Sequence, residues 1–468
     1  MPNTSFRPFT ILLIGQAISL FGSSLTGFAL GVWAYQQVNS AMIYAIIAVA
    51  SGLPIFLLSP LAGAAADRWN RKRIIIVAQT AAISITAFLA LLYWQNILQV
   101  WHIIALVALN SVFSAFVLPT IAATVPMMVP KGLLIRANGM ISLAFALIEL
   151  TGPAASGTLF TQLGLESIFV LDLATFAIGI SAVIITRIPQ PQPREELEEH
   201  DAQGHESIWL AMRAGWHYLR RVPGLFGMIV FYALLAASTM AIGLLVQPMI
   251  LGFSNAQTLG IIMSTAGSGM LLGSLVMIAL KNVNRHVPLV LMVATVLALC
   301  CVVTPLTQNP WLLAAGGFIM MSCFPVFDTN NRAIYQRKVE PSMLGRVMGL
   351  RNFALGIAQV ITLVCCGLLA DKVLEPAMLA GGWLQPLLGE LYGSGTGRGI
   401  AVLISLLGGL NLLYVAVAWG RRSIRRMDSL LADVDIDGEV ETANTDSAAT
   451  AAEAGEISAT VDNLHSQT

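Results

Sequence analysis

Apolar stretches of roughly 20 residues follow one another along this chain, separated by short polar breaks. Each is long enough to cross a hydrocarbon core of about 30 Å as an α-helix rising about 1.5 Å per residue. Twelve spans are predicted, at 9–35, 42–66, 74–94, 101–125, 139–162, 167–187, 224–249, 258–280, 288–307, 311–333, 349–371 and 399–419. The first is too long for the apolar core of a cleavable leader and has no small-x-small site after it, so it is read as a span.

Composition agrees with the pattern. Of 468 residues, 56% are hydrophobic and 11% charged, with a mean hydropathy of +0.77, whereas a water-soluble domain carries about 25% charged residues. The expected fold class is an all-α integral membrane protein. Formal net charge is zero, yet of the 25 Lys and Arg only Lys372 and Arg398 fall in loops assigned to the outside. Cations stay on the inner side of a bilayer, so both termini are expected to be cytoplasmic.

Two halves are visible. Asn70-Arg71-Lys72 after span two is echoed by Asn284-Arg285-His286 after span eight, and Val129…Arg136…Gly139 by Val339…Arg346…Gly349. The expected units are a first six-helix bundle over 1–187, a cytoplasmic linker over 188–222, a second bundle over 223–420 and an acidic tail over 421–468. The linker holds Pro189, Pro191 and Pro193, an acidic run from Glu195, and then Trp209 and Trp216 with Arg213, Arg220 and Arg221, as in a helix lying at the interface. The tail carries ten acidic residues and no Lys or Arg between Asp428 and Asp462, a composition that does not bury enough apolar surface to fold. Between spans eleven and twelve, Trp383, Leu384, Leu387, Leu388 and Leu391 are spaced for a short amphipathic helix on the outer surface.

Several chemistries find no support. There is no G-x-x-x-x-G-K-[ST] phosphate loop, and Gly267-Ser268-Gly269 lies inside a span without the strand-turn-helix setting of a nucleotide fingerprint. No nucleophile has a base partner, so no enzyme, cofactor or nucleic-acid partner is expected. The five cysteines, Cys300, Cys301, Cys323, Cys365 and Cys366, sit within spans as packing residues, and the six histidines form no metal-binding spacing.

Charged groups inside a bilayer are costly, about 2.5 to 3.5 kcal/mol at a helix centre on insertion scales, so each intramembrane acid is a functional candidate. Glu149, Asp172 and Asp328 are the proton-coupling candidates. Counting from Gly139 puts Glu149 roughly 15 Å along span five, near the midplane, with Gly152 and Ser156 on its face. Such an acid is neutral when occluded and ionised when water reaches it, or else is hydrogen-bonded to a neighbouring helix. Asp172 near the outer end of span six favours a structural role. Asp328 is spaced to pair with Arg332, as a cytoplasmic gate or a plain structural pair. Gln16, Ser19, Ser23 and Thr26 recur at helical spacing in span one, and Asn110, Ser111 and Ser114 in span four. Such polar stripes line a cavity or bond between helices.

The loop Gly63-Ala-Ala-Ala-Asp67-Arg68-Trp69-Asn70-Arg71-Lys72 resembles the G-x-x-x-D-R-x-G-R-[RK] signature of the major facilitator superfamily, with Asn70 at a position usually Gly. Gly152-Pro153 with Gly157 resembles that superfamily's antiporter motif, although its upstream Gly is Ile148 here. Gly15-Gln16…Ser19…Gly22-Ser23, Leu171-Asp172 with Phe176, and Val129-Pro130 with Arg136-Ala137-Asn138 are similar to the drug/proton antiporter branch that contains macrolide-efflux proteins and the enterobactin exporter. The resemblance implies two pseudo-symmetric six-helix bundles and a monomeric proton antiporter among membrane lipids. It also implies a cavity lined by the first and fourth helices of each half, which adds Ser238 and Gln247 to the cavity candidates, and Asp67 and Arg68 as a latch between the inner bundle ends. The implied cargo is a hydrophobic or amphipathic small molecule leaving the cytoplasm. A dedicated siderophore or lysophospholipid carrier is the alternative, and a non-transporting sensor or scaffold is a second. Other proton antiporters of the superfamily keep an Arg in span four, but this span has none, which shifts the burden of coupling to Glu149.

Overall fold

The computed structural model describes residues 6–130, 133–189, 216–222, 224–279, 286–425 and 427. Most of the linker and the acidic tail lie outside these residues. The long helices are α1 (Arg7–Val38), α2 (Ala41–Arg68), α3 (Arg71–Trp94), α4 (Val100–Met128) and α5 (Leu134–Ile185) in the first half. The second half holds α6 (Leu225–Leu251), α7 (Ala256–Ala279), α8 (His286–Val303), α9 (Pro310–Lys338), α10 (Pro341–Leu369), the short α11 (Gln385–Tyr392) and α12 (Arg398–Gly420).

Local chemistry sets the ends. Asn70 caps α3: its side chain accepts a hydrogen bond from the Arg73 backbone N–H at 3.1 Å. This gives a reason for Asn where the loop signature has Gly, since Asn satisfies one of the unpaired N–H groups at a helix start. Asn309 does the same for α9, with Pro310 at the first helical position. Lys72 reaches the other way, donating to the carbonyls of Ile184 at 2.6 Å and Thr186 at 3.1 Å. It therefore places a cation on the carboxy-terminal end of α5, where the helix dipole is negative.

At 52 residues α5 would be about 78 Å long if straight, far beyond one crossing. It is interrupted at Gly164, whose φ of 75° is open to glycine but strained for other residues. The two segments on either side hold the fifth and sixth expected spans. Among the described residues ten helices are long and apolar enough to cross a membrane, one of them including both segments of α5. Only the Ala41–Ile55 part of α2 enters that reckoning, as a shorter apolar helix.

Within each half the helices pack closely: α1 on α5, α2 and α3 on α4, then α7 on α9, α8 on α9 and α12, and α6 on α10 and α12. The halves meet along two seams, α5 with α7 and α2 with α10. Glycines make the first seam possible. A Cβ on Gly157 would lie 2.3 Å from the Ala256 carbonyl oxygen, and one on Gly260 would lie 2.3 Å from the Pro153 carbonyl oxygen. In the second seam a Cβ on Gly367 would lie 2.6 Å from Met42 Sδ. With no hydrophobic drive between helices in lipid, such close backbone approach is what holds bundles together.

Both seams lie toward the face where α4 and α7 begin, called outer here from the charge distribution. On the inner side a cavity opens among the helices of the first half. The outer α11 has the two faces its spacing predicts: Leu384 and Leu388 pack onto the protein while Trp383, Leu387 and Leu391 are exposed.

Candidate functional site

A cavity of about 650 Å³ lies in the inner half of the first bundle. Its wall is mostly aliphatic and aromatic, from Phe9, Leu12 and Leu13 on α1, Val117, Ile121 and Val125 on α4, and Ile141, Phe145 and Ile148 on α5. Gln16, Ser19, Ser23, Gln79, Asn110 and Ser114 supply its polar points. Of the polar positions singled out in spans one and four, Gln16, Ser19, Ser23, Asn110 and Ser114 are therefore in this wall, whereas Thr26 bonds to Asp172 and Ser111 to the Val107 carbonyl of its own helix. An apolar cavity of drug-sized volume with a few polar groups suits a small amphipathic molecule.

Two of these side chains are ordered by hydrogen bonds. Gln16 Nε2 donates to the Gly179 carbonyl at 3.4 Å, which turns Gln16 Oε1 toward Gln79, whose Nε2 donates to it at 2.9 Å. Gln79 Oε1 is then left as a buried acceptor with no partner. Gln79 was not among the sequence candidates, although Gln79, Thr80, Ser84 and Thr86 interrupt the apolar run of α3.

Glu149 occupies the inner end of the α5–α7 seam. Pro153 has no N–H to give to the carbonyl four residues earlier, which is that of Glu149. The freed carbonyl faces α7, where a Cβ on Gly267 would lie 2.9 Å from it. One residue further, Ala154 N–H donates to Ser264 Oγ at 2.9 Å, across the seam. Pro153 and Gly157 of the motif thus build the contact between halves, while Gly152 packs against Ser24 of α1 within the first half. The Glu149 side chain is exposed and lines a second cavity of about 140 Å³ with Val246, Met263, Met270, Met320 and Cys301. Its neighbour Ile148 lines the first. Neither cavity is lined by another acid, and among the described residues the Glu149 carboxylate has no hydrogen-bond partner.

Asp172 is placed differently. It is 1% exposed, and its Oδ2 accepts from Thr26 Oγ1 at 2.7 Å and Thr86 Oγ1 at 3.4 Å. The carboxylate ties α1 and α3 to the second segment of α5, away from the cavity walls. Gly22 makes room for it, since a Cβ there would lie 2.9 Å from Asp172 Oδ1.

Asp328 is the centre of an ionic cluster in the second half. It pairs with Arg332 at 2.9 Å, as its spacing predicts, and also with Arg351 of α10 at 3.1 Å. Tyr232 of α6 donates its hydroxyl to Asp328 Oδ1 at 2.6 Å. The Arg351 guanidinium, 1% exposed, lies 3.9 Å over the Tyr232 ring and donates to Asn331 Oδ1 at 3.3 Å. Every described partner belongs to the second half, so in this conformation the cluster welds α6, α9 and α10 together and does not bridge the halves. Sequence reasoning missed Arg351; an Arg inside an expected span is itself a signal, but no spacing links it to Asp328.

The other candidates are dispersed. Ser238 donates to Asn411 Oδ1 at 2.6 Å, binding α6 to α12, and Gln247 lines none of the cavities named above. Arg71 is buried near Met127 on α4. The side chains of Gly63, Asp67 and Arg68 lie outside those described, and with them the inner latch expected from that loop.

A model of the Major Facilitator Superfamily matches residues 12–363. Macrolide efflux protein A of Streptococcus pyogenes is 25% identical over 374 residues, covering 78% of this chain and 90% of that protein. The enterobactin exporter EntS of Salmonella paratyphi A is 23% identical over 352 residues, covering 73% and 80%. Among solved structures, nucleoside transporter NupG superposes with a TM-score of 0.61 at 12% identity, covering 88% of this chain and 98% of its own.

Proposed function

The chain belongs to the Major Facilitator Superfamily, and from that premise we propose that it exports hydrophobic or amphipathic small molecules by alternating access, driven by inward proton flow through Glu149. The two bundles, 1–187 and 223–420, rock about the midplane, and the cargo enters the inner cavity from the cytoplasm or the inner leaflet. The protein acts as a monomer in the inner membrane of a bacterium, with both termini cytoplasmic. Efflux is the activity named for relatives that match most of their own length, and the cation distribution favours this orientation.

One observation carries the reading: a partnerless carboxylate in the wall of one apolar cavity and one residue from the wall of another, where the seam between halves ends. When the inner side is open, water reaches Glu149 and the proton leaves. One proton crossing 100 mV releases about 2.3 kcal/mol, which supports a cargo gradient of about fiftyfold. The thioether and thiol groups of Met263, Met270, Met320 and Cys301 beside Glu149 give a polarisable wall that adapts to cargoes of different shape.

The test is reconstitution in liposomes with an imposed pH gradient and a panel of fluorescent apolar amines and macrolides. Wild type should accumulate cargo against its gradient, and Glu149→Gln should bind cargo yet lose gradient-driven flux. Wild-type pumping by the Gln variant would remove Glu149 from coupling, and a wild-type protein inert across the panel would remove the exporter reading.

A further inference from the structure

Where α10 ends, the chain makes a π turn, Ala370–Leu374, and this turn sets two carboxylates one turn apart on different helix starts. Glu375 accepts from the backbone N–H groups of Gly397 at 3.1 Å and Ile400 at 3.0 Å, capping α12 within its own half. Asp371 crosses to the other half. Its Oδ1 accepts from Ala41 N–H at 2.8 Å and its Oδ2 from Met42 N–H at 3.0 Å, the first two amides of α2. The Ser40 hydroxyl donates to the same Oδ2. Four residues before Asp371, Gly367 lets α10 touch Met42 and Ala45.

We propose that Asp371 is the outer latch of the transport cycle, a carboxylate that holds the outer seam shut by capping α2 across the two halves and that must be released before cargo leaves. The start of a helix carries unpaired N–H groups and a positive partial charge, so an anion held there in bidentate fashion is stabilised. Such bonds within one bundle would only be structural. Between bundles they exist in one conformation and are lost in the other, so they set the balance of states. The π turn is the local irregularity that frees Asp371 from the helix to reach across, in keeping with the concentration of such turns at functional sites.

The sequence carries the same device twice. Gly367-Leu-Leu-Ala-Asp371-Lys372 at the outer end of α10 repeats Gly63-Ala-Ala-Ala-Asp67-Arg68 at the inner end of α2, a Gly-x-x-Ala-Asp-cation sextet closing a helix on opposite faces. Only Asp371 is assigned here. The assignment rests on the alternating-access reading above but is measured separately from flux.

Spin labels at Gln95→Cys and Ala380→Cys, one on each half at the outer face, report the outer distance in a chain whose five native cysteines are replaced by Ala. In reconstituted wild type the short distance should dominate. Asp371→Asn and Asp371→Ala should raise the share of the long distance about tenfold, the size expected for losing an anion from a helix start together with its charge-assisted bonds. Asp371→Glu should stay close to wild type. Gly367→Val, which wedges the same seam without touching the carboxylate, should shift the balance in the same direction and shows that the labels report opening if an Asp371 variant does not fold. An unchanged distance distribution in folded Asp371→Asn and Asp371→Ala overturns the latch even if the protein pumps. A distribution shifted in the Asp371 variants, together with a wild-type protein that pumps nothing, overturns the exporter reading and leaves the latch standing.

Discussion

Replacing Arg351 by Met tests whether the second bundle is held by its ionic cluster or only by helix packing. The guanidinium is 1% exposed, 3.1 Å from Asp328 and 3.9 Å over Tyr232. Breaking a buried ion pair by removing one partner costs about 3 to 5 kcal/mol, most of it the charge left bare. Here Asp328 keeps Arg332 at 2.9 Å and the Tyr232 hydroxyl at 2.6 Å, so the anion is not abandoned. The loss is then the desolvated cation–π contact, about 2 kcal/mol, plus a share of the pair, in all about 2 to 3 kcal/mol. For a unit of bundle size that lowers the melting midpoint by roughly 5 to 10 °C, read by thermal unfolding in detergent. Asp328→Asn in the Arg351→Met background should cost less than in wild type, with a coupling of about 1 to 2 kcal/mol across the cycle. A midpoint within about 1 °C of wild type, or strictly additive single variants, would refute the cluster's role.

Two further outcomes follow from packing. Gly260→Val places side-chain atoms where a Cβ already lies 2.3 Å from the Pro153 carbonyl, so the outer seam must part. Cross-linking yield between cysteines placed at Ala154 and Ser264 should fall severalfold, and undiminished yield would show that the seam tolerates bulk. Thr26→Val removes the 2.7 Å bond to buried Asp172, leaving that carboxylate short of an acceptor's partner at a cost of about 1 to 3 kcal/mol. Its melting midpoint should drop several degrees and Asp172→Asn should restore part of the loss, whereas a wild-type midpoint would place Asp172 outside the packing of α1.

The fold was legible because its determinants are local and repeated. Each apolar block long enough to span is a helix on its own account, and Asn70, Pro310 and Gly164 set helix boundaries by chemistry that acts within a few residues. The largest discrepancy, fusion of two expected spans in α5, arises because Gly164 turns the chain with one residue and leaves no polar loop to read. The amphipathic outer helix was equally visible, since its apolar positions recur every three or four residues and the structure divides them between protein and exterior.

The candidate site was legible only where polarity interrupts an apolar block. Gln16, Ser23, Asn110 and Ser114 announce themselves that way and do line the cavity. The same signal marks Ser238 and Asp172, which instead bond helices together, because a polar group in lipid needs a partner or a cavity and sequence does not distinguish the two needs. Pairings between distant positions left no trace at all. Arg351 with Asp328 and Asp371 with the start of α2 depend on which helices become neighbours, 23 residues apart in one case and 330 in the other. Chemistry within a helix is therefore written in spacing, whereas the contacts that weld a bundle or latch two bundles are written in topology. On the proposed alternating-access reading the second kind divides again: Asp328 finds all its described partners inside one half and should persist through the cycle, while Asp371 finds its partners in the other half and should report the state of the transporter.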